Sequence, residues 1–328
     1  MDIKNILINF LKRNVLLWIL ILLVVVLSIM SPDFFSVRNL FNICLQNSYL
    51  IIASIGVGIV MIAGGTDLSS GMMISVVAVC TGAFMEWLHL PIPIAIVLGL
   101  VVGILLGLFN GFAANLLGIH SMIVTLATMT MFQGISYLIS GSKSFFDLDP
   151  SFKMIGQGYV FSVIPIPVVI VVVVALVAHF VLTRTVFGRF IFASGGNPEA
   201  ARLAGINVKR IKLIVFAMCG LLCALASVVM VSRQGSANST MGGDVVFNAI
   251  TACVLGGISF IGGEGDVKGV VIAVLILGVL SNGMQLIGMG VYIQYVIKAI
   301  ILLASIGYDT YQKKAKVKKI LSTKQIAA

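Results

Sequence analysis

TRTVFGRFIFASGGNPEAARLAGINVKRIK, Thr183 to Lys212, is a basic polar island set between two long apolar runs. Inside it, GGNPEAARLAGI at Gly195 to Ile206 spells a short helix from both ends. Asn197 has the side chain of an N-cap, Pro198 suits a first turn that needs no amide donor, and Glu199 complements the positive helix start. Gly205 can close the helix in a left-handed conformation. The apolar residues Ala200, Ala201, Leu203 and Ala204 are too small and too few to form a core. The segment is then either a plain helical connector or a helix that docks on something outside the bundle.

The rest of the chain lies outside the soluble class. It is 60% hydrophobic and 10% charged, with a mean hydropathy of +1.16, whereas a soluble globule carries about 25% charged residues. A span needs roughly 20 apolar residues. Candidates fall near 15–30, 43–63, 72–87, 93–115, 121–140, 163–182, 213–232, 244–261, 269–289 and 291–307, so residues 1–328 read as a single transmembrane domain. Lys4, Lys12 and Arg13 precede the first run without an Ala-x-Ala site after it, which predicts a retained helix. Cys44, Cys80, Cys219, Cys223 and Cys253 fall within apolar runs without metal or redox spacing and read as small core residues.

The net charge of +10 has the distribution of a topology signal rather than a nucleic-acid surface. With the N-terminus in the cytosol and ten crossings, three N-terminal cations, six in the island, Lys268 and six in the tail lie inside, while Arg38, Lys143, Lys153 and Arg233 lie outside. Both termini are thus expected to be cytosolic, and the basic tail at 311–328 is expected to rest near anionic lipid. Lys298 is left inside a span, where it needs a carboxylate or backbone carbonyls.

LGLFNG at Leu106–Gly111 resembles LGVLSNG at Leu277–Gly283, an offset of 171 or 172 residues that also pairs Gly118 with Gly290. Partners five crossings apart run in opposite directions. The expected architecture is all-α and polytopic, with about ten spans in two inverted-topology repeats, near 15–140 and 163–310. Short or interrupted spans at matching places mark a translocation path in such folds. GGTDLSSG at Gly64–Gly71 and SANSTMGGD at Ser236–Asp244 each open a short span, and irregular backbone there must be buried in protein or line a wet cavity. Asp67, Ser69, Asp244, Asn248 and Thr251 are candidates for the path wall, although both aspartates also suit helix capping. Asn110 and Asn282 occupy matching places and can either bond between helices or meet a polar solute. Gly99, Gly103, Gly107 and Gly111 form a smooth stripe for close helix packing. His89, His120 and His179 are isolated and read as interfacial.

No G-x-x-x-x-G-K-[ST] loop, His-Glu-x-x-His or nucleophile elbow is present, and Gly141-Ser142-Lys143-Ser144 has the wrong spacing for a phosphate loop. The chain therefore reads as no enzyme. Two classes remain: a transport subunit driven by a separate ATPase that grips the island, or a stand-alone ion-coupled carrier. The latter usually shows carboxylates or histidines within its spans, and here only Asp67 and Asp244 are offered, both at span edges.

SPDFFSVRNLFNI at Ser31–Ile43, GGTDLSSG, NGFAANLLGIHSMIVTLATMTMFQGISYLISG at Asn110–Gly141, FGRFIFASGGNPEAARLAGINVKRIK at Phe187–Lys212 and AITACVLGGISFIGGEGDVKG at Ala249–Gly269 together resemble the ribose-type and related sugar permeases of bacterial ATP-binding-cassette importers. The resemblance covers about 30–310. It implies a type II importer-like permease in the inner membrane, assembled with a second permease copy or paralogue. It also implies an ATPase subunit that carries ATP and Mg, and an extracytoplasmic sugar-binding protein; the chain itself would bind no cofactor. The ATPase-coupling element of the family matches Gly196, Asn197, Pro198, Glu199, Ala200, Ala201 and Arg202. Ribose is the first substrate implied, then other pentoses, hexoses or a nucleoside. Thr66 and Ser70 depart from the family, which more often has Ile and Val there, and SIGYDTYQKK at Ser305–Lys314 departs from its usual apolar run.

Overall fold

The computed structural model describes residues 15–326 apart from 32, 147 and 162. The N-terminal cations at 4, 12 and 13 lie outside the described residues. The first half contains α1 (Val15–Met30), α2 (Val37–Ile62), α3 (Ser70–Glu86), α4 (Ile92–Leu117) and α5 (Ser121–Ser140). A short helix, α6 (Pro150–Gln157), and a hairpin pairing β1 (Tyr159–Val160) with β2 (Ile164–Pro165) follow. Then come α7 (Ile166–Arg184), α8 (Val186–Gly196), α9 (Pro198–Leu203), α10 (Val208–Gln234), α11 (Val245–Leu255), α12 (Val267–Leu286) and α13 (Val291–Ile326).

Among the described residues, six helices are long and apolar enough to cross a membrane: α2, α4, α5, α7, α10 and α12. Shorter apolar helices are α1, α3, α11 and the Val291–Gly307 part of α13. Four expected boundaries need correction, the first being the span placed at 43–63, which begins at Val37 because the Ser36 hydroxyl accepts from the Asn39 amide at 3.2 Å and caps it. The span placed at 244–261 stops at Leu255, because Gly257, Gly262 and Gly263 take left-handed φ angles and fold the chain back. The span placed at 213–232 begins five residues earlier, where Asn207 caps α10 by accepting from the Arg210 amide at 3.0 Å. The apolar run at 291–307 and the basic tail form one continuous helix rather than a span and a separate tail, since neither Gly nor Pro interrupts the polar stretch after Gly307.

Burial sorts the helices. Leu50–Ile62 of α2 and Ser70–Ala83 of α3 are buried on every side, the mark of a helix that is apolar all round and central in its bundle. α10 packs against both and against α4. The glycine stripe makes that last contact close. A Cβ on Gly107 would sit 2.2 Å from the Phe216 carbonyl oxygen, and one on Gly103 would sit 2.5 Å from the Gly220 oxygen, so backbone meets backbone. Gly99 differs, facing the Thr81 hydroxyl of α3 instead of α10.

Both irregular breaks are packed inside the bundle, and backbone amides in each find partners there, as hydrocarbon demands. Before α3, the Thr66 amide donates to Ser121 Oγ at 3.0 Å and the Leu68 amide to Thr125 Oγ1 at 3.0 Å. Before α11, Ala237 and Phe145 exchange backbone hydrogen bonds at 2.8 and 2.9 Å, and the Gly242 amide donates to Ser75 Oγ at 2.9 Å. The two breaks touch each other. A Cβ on Gly71 would lie 2.3 Å from the Gly242 oxygen, and one on Gly242 would lie 1.7 Å from the Gly71 oxygen.

Candidate functional site

The island folds into two helices rather than one. α8, unforeseen as a separate helix, starts where the Thr185 hydroxyl accepts from the Gly188 amide at 3.1 Å. α9 follows as its end signals require. Asn197 Oδ1 accepts from the Ala200 amide at 3.0 Å, Gly205 stands at φ +83°, and the Ile206 amide reaches back to the Ala201 carbonyl at 3.0 Å. Glu199 and Arg202 pair at 2.7 Å on the exposed side, and Leu203 is 82% exposed. Ala201 is buried, so the inner face of α9 rests on its own chain while Pro198, Glu199 and Leu203 face outward.

Directly behind α9 is a glycine junction. A Cβ on Gly195 would fall 1.9 Å from the Ile62 oxygen and 2.7 Å from the Gly263 nitrogen, and one on Gly262 would fall 2.7 Å from Gly64 Cα. The Gly263 amide also donates to the Ile62 carbonyl at 2.8 Å. Bare backbone from the end of α2, the end of α8 and the turn after α11 is thereby locked together. α9 is therefore mechanically continuous with both interrupted segments.

The seven path candidates fall into separate groups. Asp67, Ser69 and Asn110 are fully buried together: Asp67 Oδ1 accepts from the Ser69 amide at 2.9 Å and its hydroxyl at 2.7 Å, while Asn110 Nδ2 donates to Ser69 Oγ at 2.7 Å. Asp67 thus tightens the turn before α3 instead of capping it, because Ser69 holds the cap position. These three residues are not among the walls of the two clefts described below. Asn282 bonds between helices, its amide exchanging hydrogen bonds with Asn39 of α2 at 2.8 and 2.9 Å.

Asp244, Asn248 and Thr251 instead line a cleft of about 240 Å³ with Phe247, Tyr295 and Lys298. Asp244 stands at the N-cap place of α11 without making a cap bond, since its carboxylate is engaged by the Tyr295 hydroxyl at 2.9 Å. Asn248 and Lys298 also line a second cleft of about 160 Å³, with Gln46, Asn47, Tyr49, Arg233 and Asn282 among its walls. The two clefts are contiguous through that shared pair. α10 and α12 both start near α9 and end far from it, so Arg233 and Gln285 place the second cleft toward the end of the bundle opposite α9. Gln46, Asn47, Tyr49 and Arg233 were not foreseen as site residues; Arg233, a cation at a span end, was the one signal available in the sequence.

A helical bundle with apolar outer helices, two breaks meeting at its centre, a polar cleft at one end and a projecting capped helix at the other is built as a membrane permease. The family described as branched-chain amino acid transport system / permease component matches residues 39–306, and the chain belongs to it. The ribose import permease protein RbsC of Haemophilus influenzae is 39% identical over 296 residues, covering 89% of this chain and 91% of the relative. The galactose/methyl galactoside import permease protein MglC of Escherichia coli is 34% identical over 331 residues, covering 95% and 98%. RbsC of Bacillus subtilis is 36% identical over 293 residues, covering 88% and 90%. No solved structure matches the chain. It is a multi-pass membrane protein and a permease component of a transport system.

Proposed function

We propose that this chain is the membrane-spanning subunit of an ATP-binding-cassette importer for a monosaccharide, with a ribose-type pentose the first carbon frame to test. Sugar would arrive from an extracytoplasmic binding protein, and ATP with Mg would be bound by a separate ATPase subunit seated against α9. A second permease copy or a paralogue would complete the passage in the inner membrane, with both termini cytosolic. The observation that carries this reading is the junction of Gly64, Gly195, Gly262 and Gly263, which ties the exposed capped helix to the interrupted segments. A pull on α9 would reach both breaks as a rigid-body displacement.

The inverted repeat and the ten-span count are part of the same proposal. Supporting them, the ranges of α2, α3, α4 and α5 overlie those of α10, α11, α12 and α13 at an offset of 171 residues. Gly71 and Gly242 stand at that same offset and touch, as equivalent residues do beside a two-fold axis. The pairing of α4 with α10 is likewise mirrored by that of α12 with α2.

The test is reconstitution. ATP-driven sugar uptake should need the chain, its ATPase and the binding protein together. Accumulation by the chain alone on a proton or sodium gradient would overturn the proposal in favour of an ion-coupled carrier, with buried Asp67 as the group to examine. Topology is checked separately by single cysteines. Leu203→Cys should react only from the cytosolic side and Ser142→Cys only from outside, with little background because four native cysteines are buried and Cys44 is half-buried. The buried Ala201 is unsuited to this labelling.

A further inference from the structure

We infer that Asp244 and Tyr295 form a latch across the seam between α11 and α13, closed in this structure and released when α11 is displaced from its α9 end. The inference rests on the sugar-permease reading and adds a gate to the passage considered there. Both residues act by positioning helices.

The outer cleft is that seam. Asp244, Phe247 and Thr251 line it from the head of α11, and Tyr295, Lys298 and Leu302 line it from α13. Through Asn248 and Lys298 it continues into the second, polar cleft. The Tyr295 hydroxyl donates to Asp244 Oδ2 at 2.9 Å, the one hydrogen bond among the described residues that crosses from α13 to the head of α11. Apart from it, the two helices are held together by packing alone.

The bond is built to be released. Asp244 stands at the N-cap place of α11 at φ −88°, ψ −8° and makes no cap bond. A cap takes an extended backbone and serves the amides two and three residues on. Those amides, of Val246 and Phe247, have no acceptor among the described residues. Asp244 therefore has a second position, on its own helix. Gly243 can supply the backbone rotation, since even a Cβ there would meet nothing closer than 3.4 Å. Exchanging the Tyr295 bond for a cap bond leaves the carboxylate satisfied either way, which keeps the two positions close in free energy. The displacement comes from the other end of the helix. α11 has 11 residues, a rod of about 16 Å, and the turn after it carries Gly262 and Gly263 into the junction behind α9. Movement of α9 thus enters α11 at Leu255 and emerges at Asp244.

The test follows one cysteine in the seam, Thr251→Cys, at a position 4% exposed, in the full assembly of permease, ATPase and binding protein in lipid nanodiscs. Its reaction with a polar maleimide should be at least about threefold faster with ATP and vanadate than without nucleotide, the effect of freeing one hydrogen bond to a carboxylate. Tyr295→Phe, which lacks the hydroxyl, and Asp244→Ser, which can cap α11 but is too short to hold Tyr295, should each show the faster rate without nucleotide. Asp244→Asn can do both and should match wild type. The double variant Tyr295→Phe with Asp244→Ser should match the singles, because both remove the same bond. In proteoliposomes those singles should hydrolyse at least about threefold more ATP per D-ribose or D-galactose delivered. A wild-type labelling rate in Tyr295→Phe, additive effects in the double variant, or failure of Tyr295→Phe to assemble would each overturn the latch. Absence of ATP-driven uptake of both sugars by the wild-type assembly would count against the sugar-permease reading, while the labelling, which uses no sugar, still decides the latch.

Discussion

Gly107→Leu is expected to leave less than about a tenth of the wild-type amount of assembled chain in the membrane, because overpacking a tight interior costs ~1–3 kcal/mol even where side chains alone must shift. Here no side chain is available to shift. The added Cβ would meet the Phe216 carbonyl oxygen at 2.2 Å and the Ala217 Cα at 3.2 Å, both belonging to the α10 backbone. The two helices would have to separate along the contact that places α10 at the centre of the bundle. Fluorescence-detected size-exclusion of solubilised protein measures the outcome. Two substitutions calibrate it. Gly134→Ala in α5 has nothing within 4 Å and should be neutral or slightly favourable, since alanine exceeds glycine in a helix by about 1 kcal/mol. Gly111→Ala should be intermediate, with Leu213 Cα and Phe216 Cβ at 3.1 Å. A wild-type level of assembled Gly107→Leu would mean that α4 and α10 do not meet through this stripe.

How far such contacts can be foreseen differs from residue to residue. The stripe was legible because four glycines at a spacing of four can only lie on one helix face, although which helix it faced was not written in them. The α9 caps were legible because Asn197, Pro198 and Gly205 each act within a few residues of themselves. The fate of Asp67 was not, since capping and turn-tightening use the same carboxylate within two residues, and only the seating of Ser69 decides between them. Asn110 and Asn282 hold matching places yet bond to unlike partners, Ser69 and Asn39, which no offset in the sequence foretells. The cleft was legible only in part: Asp244, Asn248, Thr251 and Asn282 were candidates for its wall, but the residues facing them were not. Tyr49, Arg233 and Lys298 come from α2, α10 and α13, and their approach is a product of tertiary packing. α11 ended early because the glycines after Leu255 outweigh the apolar character of the run that contains them.

Pro198→Asp and Glu199→Arg are expected to abolish uptake while leaving the bundle assembled. The fold has little at stake at either position. The Glu199–Arg202 pair is exposed, and such pairs contribute about 0.2–1 kcal/mol. An aspartate in the first turn of α9 agrees with the helix dipole, so Pro198→Asp keeps the helix. Docking is another matter. Residues central to an interface cost about 2–4 kcal/mol when lost, on the order of a hundredfold in equilibrium, and a six-residue helix has few such residues to spare. Co-purification of the ATPase and ATP-driven uptake, each normalised to assembled permease, separate the two effects. Behind the helix, Gly195→Ala should lose uptake with ATPase still bound, because its Cβ would press on the Ile62 oxygen and open the junction. Gly196→Ala, whose nearest neighbour is Gly263 Cα at 3.9 Å, should transport normally. Normal uptake in Pro198→Asp and Glu199→Arg alike would remove α9 as the docking point, and normal uptake in Gly195→Ala would show that its motion reaches the breaks by another route.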